Sequence, residues 1–586
     1  MDLAALVLAQ AGCLLALAAT AWAAGWATWG RHAPERLAHP LLPCLGLALL
    51  GSVGLLLAVM HMFWPIALLA VTVLAHAAAL PGWRALLVRT AQTMRRAPRR
   101  ALVVALLVVF AAAGGFVIAL FPPTAFDETT YHLPFARVFL ASGTLPWVPE
   151  LRVATFPLLG EALQAALLLG WGERGPHQLA LFATLLTAAL LLTWGREADR
   201  RETGWLAAAL FLGSPLVTYL AGTGYVDPLV GLFVTAAFYT LWRASTSNGG
   251  EDWYLVAGFL AGAGAGVKYL GLYAVLVGAL ALLARRHPRW HMFLPFAVGA
   301  AAATVIPYGN LLWRTGNPLF PYFPGLFGAT PWQTGVPAAF RHSAVMLPFD
   351  AVFRRQLVGD QPPLSPALLL GIVLVAVAMV NVPRLRLGAL VVAGFLPAFA
   401  VMAVVSRYLV TVLPLWCLLV ALALSWCWRR LRGTAPSPLV SGLLALGLAL
   451  PGVAYGGFYL AQRRAIPDTP RERVAYLAET HPGYRALRWL EGHEGHRYVA
   501  RCLACEQLHG FARGRLLGEV VGPWGYQAVI NELDDPPALQ REVSRDGARF
   551  FLLPRSAASA LRTAAARGRF ARVYADADFE IWRIAP

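Results

Sequence analysis

The sequence is poor in charge and almost devoid of lysine. Only 13% of its 586 residues are Asp, Glu, Lys or Arg, about half the share of a soluble globular chain. That shortage excludes a soluble enzyme and a disordered scaffold. Of 48 basic residues only one, Lys268, is a lysine. Cysteine is scarce too. There are 6, and Cys13, Cys44, Cys417 and Cys427 lie inside apolar runs, so no disulfide framework is implied. The first apolar run lacks a basic n-region and a small-residue cleavage site, and reads as a retained span. Internal repeats and low-complexity tracts are missing as well.

What is abundant is apolar sequence: 58% of residues are hydrophobic and the mean hydropathy is +0.60. Apolar runs fall at about 3–26, 41–59, 63–81, 101–121, 177–194, 204–221, 228–242, 253–267, 269–284, 291–306, 364–381, 387–404, 408–428 and 437–459. They predict a mainly α, polytopic transmembrane helical bundle of about 14 spans. The net charge of +18 then reflects topology and an Arg-rich surface, not a nucleic-acid partner.

The loops sort by charge. One set (27–40, 82–100, 195–203, 243–252, 285–290, 382–386, 429–436) holds 20 Arg, including RTAQTMRRAPRR at 89–100. The opposite set, outside the C-terminal tail, holds 9 Lys and Arg over far more residues. The positive-inside rule puts the first set in the cytoplasm. Residues 122–176, 222–227, 307–363 and 463–586 are then extracytoplasmic. The tail 463–586 has 19 Arg, 15 Asp and Glu and no apolar span. Strand-like segments (497–504, 548–554, 579–585) alternate there with helix-like ones (471–480, 483–491, 556–568), which predicts a small α/β domain. The expected division is an N-terminal group of added helices (1–100), a membrane module (101–462) and an extracytoplasmic α/β domain (463–586).

Candidates for chemistry collect on the outer side. In FPPTAFDETTYHLPFAR (121–137), Asp127 and Glu128 stand at the end of a span, followed by Tyr131 and His132. Such a carboxylate pair suits a divalent cation or a general base. The structural alternative is helix capping by Asp127 or Thr129. ATFPLLGEALQAALLLGWG (154–172) reads as an amphipathic helix in the interface, with Glu161 a helix-surface residue or a site residue. Asp227 in GTGYVDPLVGLF precedes a proline, as a helix cap does. Gly258, Gly262 and Gly266 recur every four residues, a pattern of close helix packing. Lys268 follows where the chain turns back at membrane depth, and there it needs a partner or an anion. Phosphate fits; the alternative is snorkelling. Arg314 in PYGNLLWRTGNPLFPYFPG and Arg407 in SRYLVTVLPLW are phosphate ligands or interfacial arginines. Cys502 and Cys505, with His509 beyond, suit a local disulfide or free thiols better than a metal.

In this order these segments resemble the GT-C superfamily of polyprenyl-phosphate-sugar glycosyltransferases, in particular the protein O-mannosyltransferases and the lipid A aminoarabinose transferase. The resemblance covers about 101–430 and rests on the Asp127-Glu128 loop, Asp227, GAGAGVKYLG, WRTGNP and RYLVTVLP. Three spans precede the Asp-Glu loop, where those relatives have one. The resemblance implies an inverting transferase that moves a sugar from a polyprenyl-phosphate donor to an acceptor at the outer membrane face. It makes Asp127 the general base, with Glu128 beside it as a catalytic residue. Lys268, Arg314 and Arg407 would hold the donor phosphate. Tyr131, His132, Glu161 and Asp227 would orient the acceptor or a cation. A divalent cation (Mg, Mn or Zn) on Glu128 and His132 is one expected cofactor. The acceptor is a lipid, a glycan or a protein. The competing readings are a lipid or polysaccharide exporter, and a glycan polymerase or ligase using a diphosphate-linked donor.

Overall fold

The computed structural model describes the chain except residues 1, 31–36, 38, 247–249, 285–289, 329, 331, 333–342, 401, 564–567 and 586. Helices dominate up to residue 463. They are α1 (Leu3–Thr28), α2 (Leu41–Val59), α3 (Pro65–Ala78), α4 (Leu80–Arg96), α5 (Pro98–Ala119), α6 (Leu133–Ser142), α7 (Leu159–Trp171) and α8 (Gly175–Ala198). Next come α9 (Arg201–Leu212), α10 (Pro215–Ala221), α11 (Asp227–Thr246), α12 (Glu251–Val267), α13 (Leu272–Leu283) and α14 (Trp290–Thr315). The rest are α15 (Pro324–Phe327), α16 (Leu347–Phe353), α17 (Ala367–Asn381), α18 (Pro383–Ala393), α19 (Leu413–Arg432) and α20 (Pro438–Arg463).

Helix ends follow local chemistry. The Asp2 carboxylate accepts from the Ala5 N–H at 2.7 Å and starts α1. Ser437 does the same for α20, with Pro438 at its first turn. Among the described residues five helices are long and apolar enough to cross a membrane, or seven if each bent pair is one span. The chain is a multi-pass membrane protein, but about 14 full-length spans are not found among the described residues. Several apolar runs form helices too short to cross. The 15-residue α17 rises about 22 Å, against a hydrocarbon core of about 30 Å. Others are broken: α9 and α10 meet at 74°, and α3 and α4 at 60°, with prolines at the start of α4 and α10.

The run 154–172 also differs from expectation. The first half of α7 is buried in the bundle, while Leu169 and Trp171 near its end are exposed. The glycine stripe does serve packing. A Cβ on Gly258 would lie 1.9 Å from the Phe296 carbonyl oxygen, and one on Gly262 would lie 2.5 Å from that of Ala300. Only hydrogen at these positions lets α12 meet α14 so closely.

Residues 470–584 form a second architecture. Helices α21 (Pro470–Thr480) and α22 (Tyr484–Glu494) precede a five-stranded sheet. Its strands are β1 (Val499–Cys502), β2 (Arg515–Leu517), β3 (Phe550–Pro554), β4 (Phe570–Ala575) and β5 (Phe579–Ile584), in the order β2-β1-β3-β5-β4. β1 pairs in parallel with β2 and β3, and β5 runs antiparallel to β3 and β4. Alternate residues of β3 serve two cores. Phe550 and Leu552 pack with Tyr476, Leu487 and Leu490. Phe551 and Leu553 pack with Leu539 and Val543 of α24 (Pro536–Val543), which follows α23 (Tyr526–Asn531). Two strands escape sequence reading: β2 has only three residues, and β4 is an edge strand with a largely exposed pattern. The expected helix 556–568 is two short 3₁₀ turns, 555–557 and 560–562; residues 564–567 lie outside the described residues.

Replacing Gly258 with Val is expected to lower the melting temperature in detergent by several degrees, on the order of 1–3 kcal/mol of overpacking. Gly457→Val, where nothing lies within 4 Å of the added carbon, should melt as wild type does.

Candidate active site

The segment after α5 starts at its C-cap, Leu120, and turns through Pro122 and Pro123 into a single π-helical turn, Glu128–His132, which leads into α6. Wide turns of this kind recur at functional sites. Neither capping expectation holds. The Asp127 side chain makes no cap bond, and the Thr129 hydroxyl donates to the Ala125 carbonyl at 3.1 Å. Asp127 instead turns inward. The Arg407 Nη2 donates to its Oδ2 at 2.5 Å, and the Tyr131 hydroxyl donates to the same oxygen.

Asp227, first residue of α11, forms the second half of the cluster. The Lys268 Nζ donates to both its oxygens, at 3.2 and 3.3 Å. Lys268 occupies the break between α12 and a 3₁₀ turn. Arg407 Nε lies 4.0 Å from Asp227 Oδ2 and links the two pairs. The residues come from positions 127, 227, 268 and 407. Asp127, Asp227 and Arg407 are buried, and the Lys268 side chain is 12% exposed. Aromatic rings line the cations: Lys268 stands over Tyr408 at 4.9 Å, and Arg407 over Tyr225 at 4.8 Å and Tyr408 at 5.3 Å.

Burial pushes the Asp127 carboxyl up. The charges of Arg407, Lys268 and His132 and the Tyr131 hydrogen bond outweigh burial and lower it to about 2. Asp127 is thus ionised throughout the physiological range.

Glu128 points elsewhere. The Gly224 N–H donates to its Oε1 at 3.1 Å, and His177 Nε2 lies 2.5 Å from the same oxygen. The Ala125 N–H donates to Oε2 at 3.3 Å. A Cβ on Gly224 would lie 2.3 Å from Glu128 Oε1, so only glycine admits the carboxylate. Glu128 therefore ties its own turn to the 222–226 loop and to α8, and it is not free to act as a base. His132 faces Glu161, with Nδ1 2.7 Å from Oε1. Glu161 is 1% exposed, not a helix-surface residue. His132 Nε2 and Glu161 Oε2 are buried without a hydrogen-bond partner.

Two expectations fail on geometry. Glu128 and His132 have separate partners and do not converge as a cation site, and no group of three His, Cys, Asp or Glu suited to a metal occurs among the described residues. Arg314 is apart from the phosphate candidates. It lies in the last turn of α14, where the helix continues past 306. Its Nε donates to Asn310 Oδ1 at 2.9 Å, its Nη2 donates to the Leu145 carbonyl at 3.2 Å, and its guanidinium covers Trp147. Asn317 shapes the turn after it, donating to the Tyr322 carbonyl. Cys502 and Cys505 form a disulfide.

Sequence reading missed Tyr225, Tyr408, His177 and Gln164, whose Nε2 donates to the Gly224 carbonyl at 2.7 Å. His177 carried a faint signal, a histidine opening an apolar run. The α/β region also sits on this site. A Cβ on Gly510 would lie 2.6 Å from the Thr129 carbonyl oxygen, so the 506–510 turn rests on the backbone of the Asp127 turn. Around it Arg473 pairs with Glu173 at 2.5 Å, Arg515 with Glu150 at 2.8 Å and Arg152 with Glu519 at 3.1 Å.

Comparison with known proteins agrees with this architecture. Residues 177–310 match the dolichyl-phosphate-mannose-protein mannosyltransferase family. Residues 472–583 match a second family whose description names no activity. ArnT from Cupriavidus metallidurans in the apo state superposes with a TM-score of 0.52 and 15% identity, covering 82% of this chain and 96% of that one. The same protein bound to undecaprenyl phosphate superposes at 0.53 with 14% identity, covering 83% and 98%. No curated protein matches the sequence. The family model matches about a quarter of the chain, and over most of its length the chain shares its fold with ArnT.

Asp127 should remain ionised well below pH 4. Its folded value, about 2, lies under the unfolded value of about 3.9. Its contribution to stability is therefore complete above about pH 4 and lost as pH falls through about 2. The stability difference between wild type and Asp127→Asn, from melting curves, should be flat from neutrality to about pH 4 and shrink below it.

Proposed function

We propose that the protein transfers a sugar from a polyprenyl-phosphate donor to an acceptor hydroxyl at the outer face of the membrane, with inversion. The carrying observation is the buried cluster in which Asp127 and Asp227 meet Arg407 and Lys268 within a GT-C fold. It has what the reaction needs. Negative charge grows on the phosphate as the sugar leaves, and two pre-positioned cations lower that barrier. A fixed carboxylate receives the acceptor proton.

In this reading Asp127 is the general base and Arg407 and Lys268 hold the phosphate. Asp227 positions Lys268. Tyr225 and Tyr408 shape the wall around the cations. Glu128, His177 and Gln164 act one layer away by fixing the 125–132 turn against the 222–226 loop. Arg314 has no part in phosphate binding. No step is routed through a metal, since Glu128 and His132 do not converge. The charge asymmetry of the loops supports an extracytoplasmic site, with the 463–586 region on the same side. That region closes over the Asp127 turn and is the natural place for acceptor contacts. ArnT with undecaprenyl phosphate supports a lipid monophosphate as the donor carrier.

The test uses purified protein in lipid nanodiscs, radiolabelled polyprenyl-phosphate sugars and a membrane extract as the acceptor source. Asp127→Asn should reduce transfer by about a thousandfold in protein that still elutes as a folded species, although it melts at a lower temperature than wild type. Lys268→Ala should lower kcat as well as raise the donor KM. Turnover by Asp127→Asn at the wild-type rate would sink the assignment of the base. Transfer from diphosphate-linked donors alone would point to a polymerase or ligase.

A further inference from the structure

We propose that the donor phosphate and the site carboxylates compete for the same two cations, so that donor binding itself releases Asp127 to act as a base. This rests on the donor reading above and concerns how that site is controlled.

Four observations carry it. Each cation has one hydrogen-bonded carboxylate: Arg407 Nη2 is on Asp127 at 2.5 Å and Lys268 Nζ is shared between both oxygens of Asp227, with Arg407 Nε 4.0 Å from Asp227 Oδ2 linking the two pairs. The cluster therefore balances two positive charges against two negative ones before any donor arrives. A phosphodiester donor adds a third anion, and three anions around two buried cations cannot all keep their partners. Arg407 is the residue with unused capacity. Its Nε is buried without a hydrogen-bond partner, and its Nη1 reaches the Tyr225 hydroxyl only at 3.5 Å. An incoming phosphate bound bidentately would take the free Nε together with Nη2, the nitrogen now on Asp127, because these two N–H groups form one edge of the guanidinium fork. Turning the fork towards the phosphate draws Nη2 off Asp127.

The consequence is a gate. Without donor, Asp127 is clamped by its counter-ion and is a weak base. With donor, the clamp passes to the phosphate, and Asp127 keeps its charge but loses the partner that quenched it. Its affinity for a proton rises while an acceptor hydroxyl is present. Donor-first ordered binding follows.

The probe is undecaprenyl phosphate, radiolabelled, in equilibrium binding to the full-length protein in nanodiscs. Asp127→Asn removes the competing charge at nearly constant shape. It should bind the probe about tenfold more tightly than wild type, although it cannot transfer sugar. Glu161→Gln removes one negative charge that pairs with His132 and not with either cation. Its affinity should stay within about twofold of wild type. Equal or weaker binding by Asp127→Asn overturns the proposal, as does equal tightening by Glu161→Gln, which would show a general effect of net charge. If Asp127→Asn does not elute as a folded species, Asp227→Asn, which frees Lys268, decides by the same comparison. Failure of wild type and every folded variant to bind the probe would overturn the donor reading itself, and this inference with it.

Discussion

The Asp127–Arg407 contact is the constraint around which this end of the molecule is arranged. An unpaired guanidinium or carboxylate under so much protein would be prohibitively costly, and removing one partner of such a pair costs several kcal/mol. The pair joins segments 280 residues apart. It therefore fixes the turn after α5 against the segment entering α19. Asp227 and Lys268 extend the same logic to α11 and to the break after α12. A bundle of apolar helices can slide with little penalty, because one greasy face packs much like another. Four buried charges that neutralise one another permit only one arrangement.

A second layer holds the first. Glu128 receives two backbone N–H groups and a histidine, and His132 rests on Glu161. These contacts hold a wide helical turn in place, so that Asp127 projects in the direction it needs. The adjacency of Asp127 and Glu128 had suggested two carboxylates with one task. On a turn of this width successive side chains diverge, and the two serve opposite faces. The α/β region adds a third layer. Its 506–510 turn lies on the Thr129 backbone where only a glycine fits, and ion pairs at Glu150, Glu173 and Glu519 fasten its rim. The site is therefore closed by the α/β region of the chain.

The same geometry explains why two sequence expectations failed. Arg314 belongs to a WRTGNP segment that resembles a family loop, and its residue type suits a phosphate. Its position is set by α14, which runs on past residue 306 and aims the guanidinium at Trp147 and the Leu145 carbonyl. Helix length, which apolar patterning locates only within several residues, decided its role. The span count failed for a related reason. Hydropathy detects an apolar run, but whether the run is one straight helix or two pieces meeting at 74° depends on the tertiary packing around the break.

The sequence by itself determined the membrane habit of the chain, the positions of most helices, the clustering of arginine in one set of loops and the α/β region after residue 463. Each depends on composition and periodicity, which are local and additive along the chain. It also marked Asp127, Asp227, Lys268 and Arg407, because a charge beside an apolar run is costly and so stands out. Only the tertiary structure decided which charge meets which. It paired Asp127 with Arg407 and Asp227 with Lys268, turned Glu128 to His177, and brought in Tyr225, Tyr408 and Gln164, which carry no signal of their own. Coulomb attraction acts over a few ångströms of space, and nothing in the linear order records that distance.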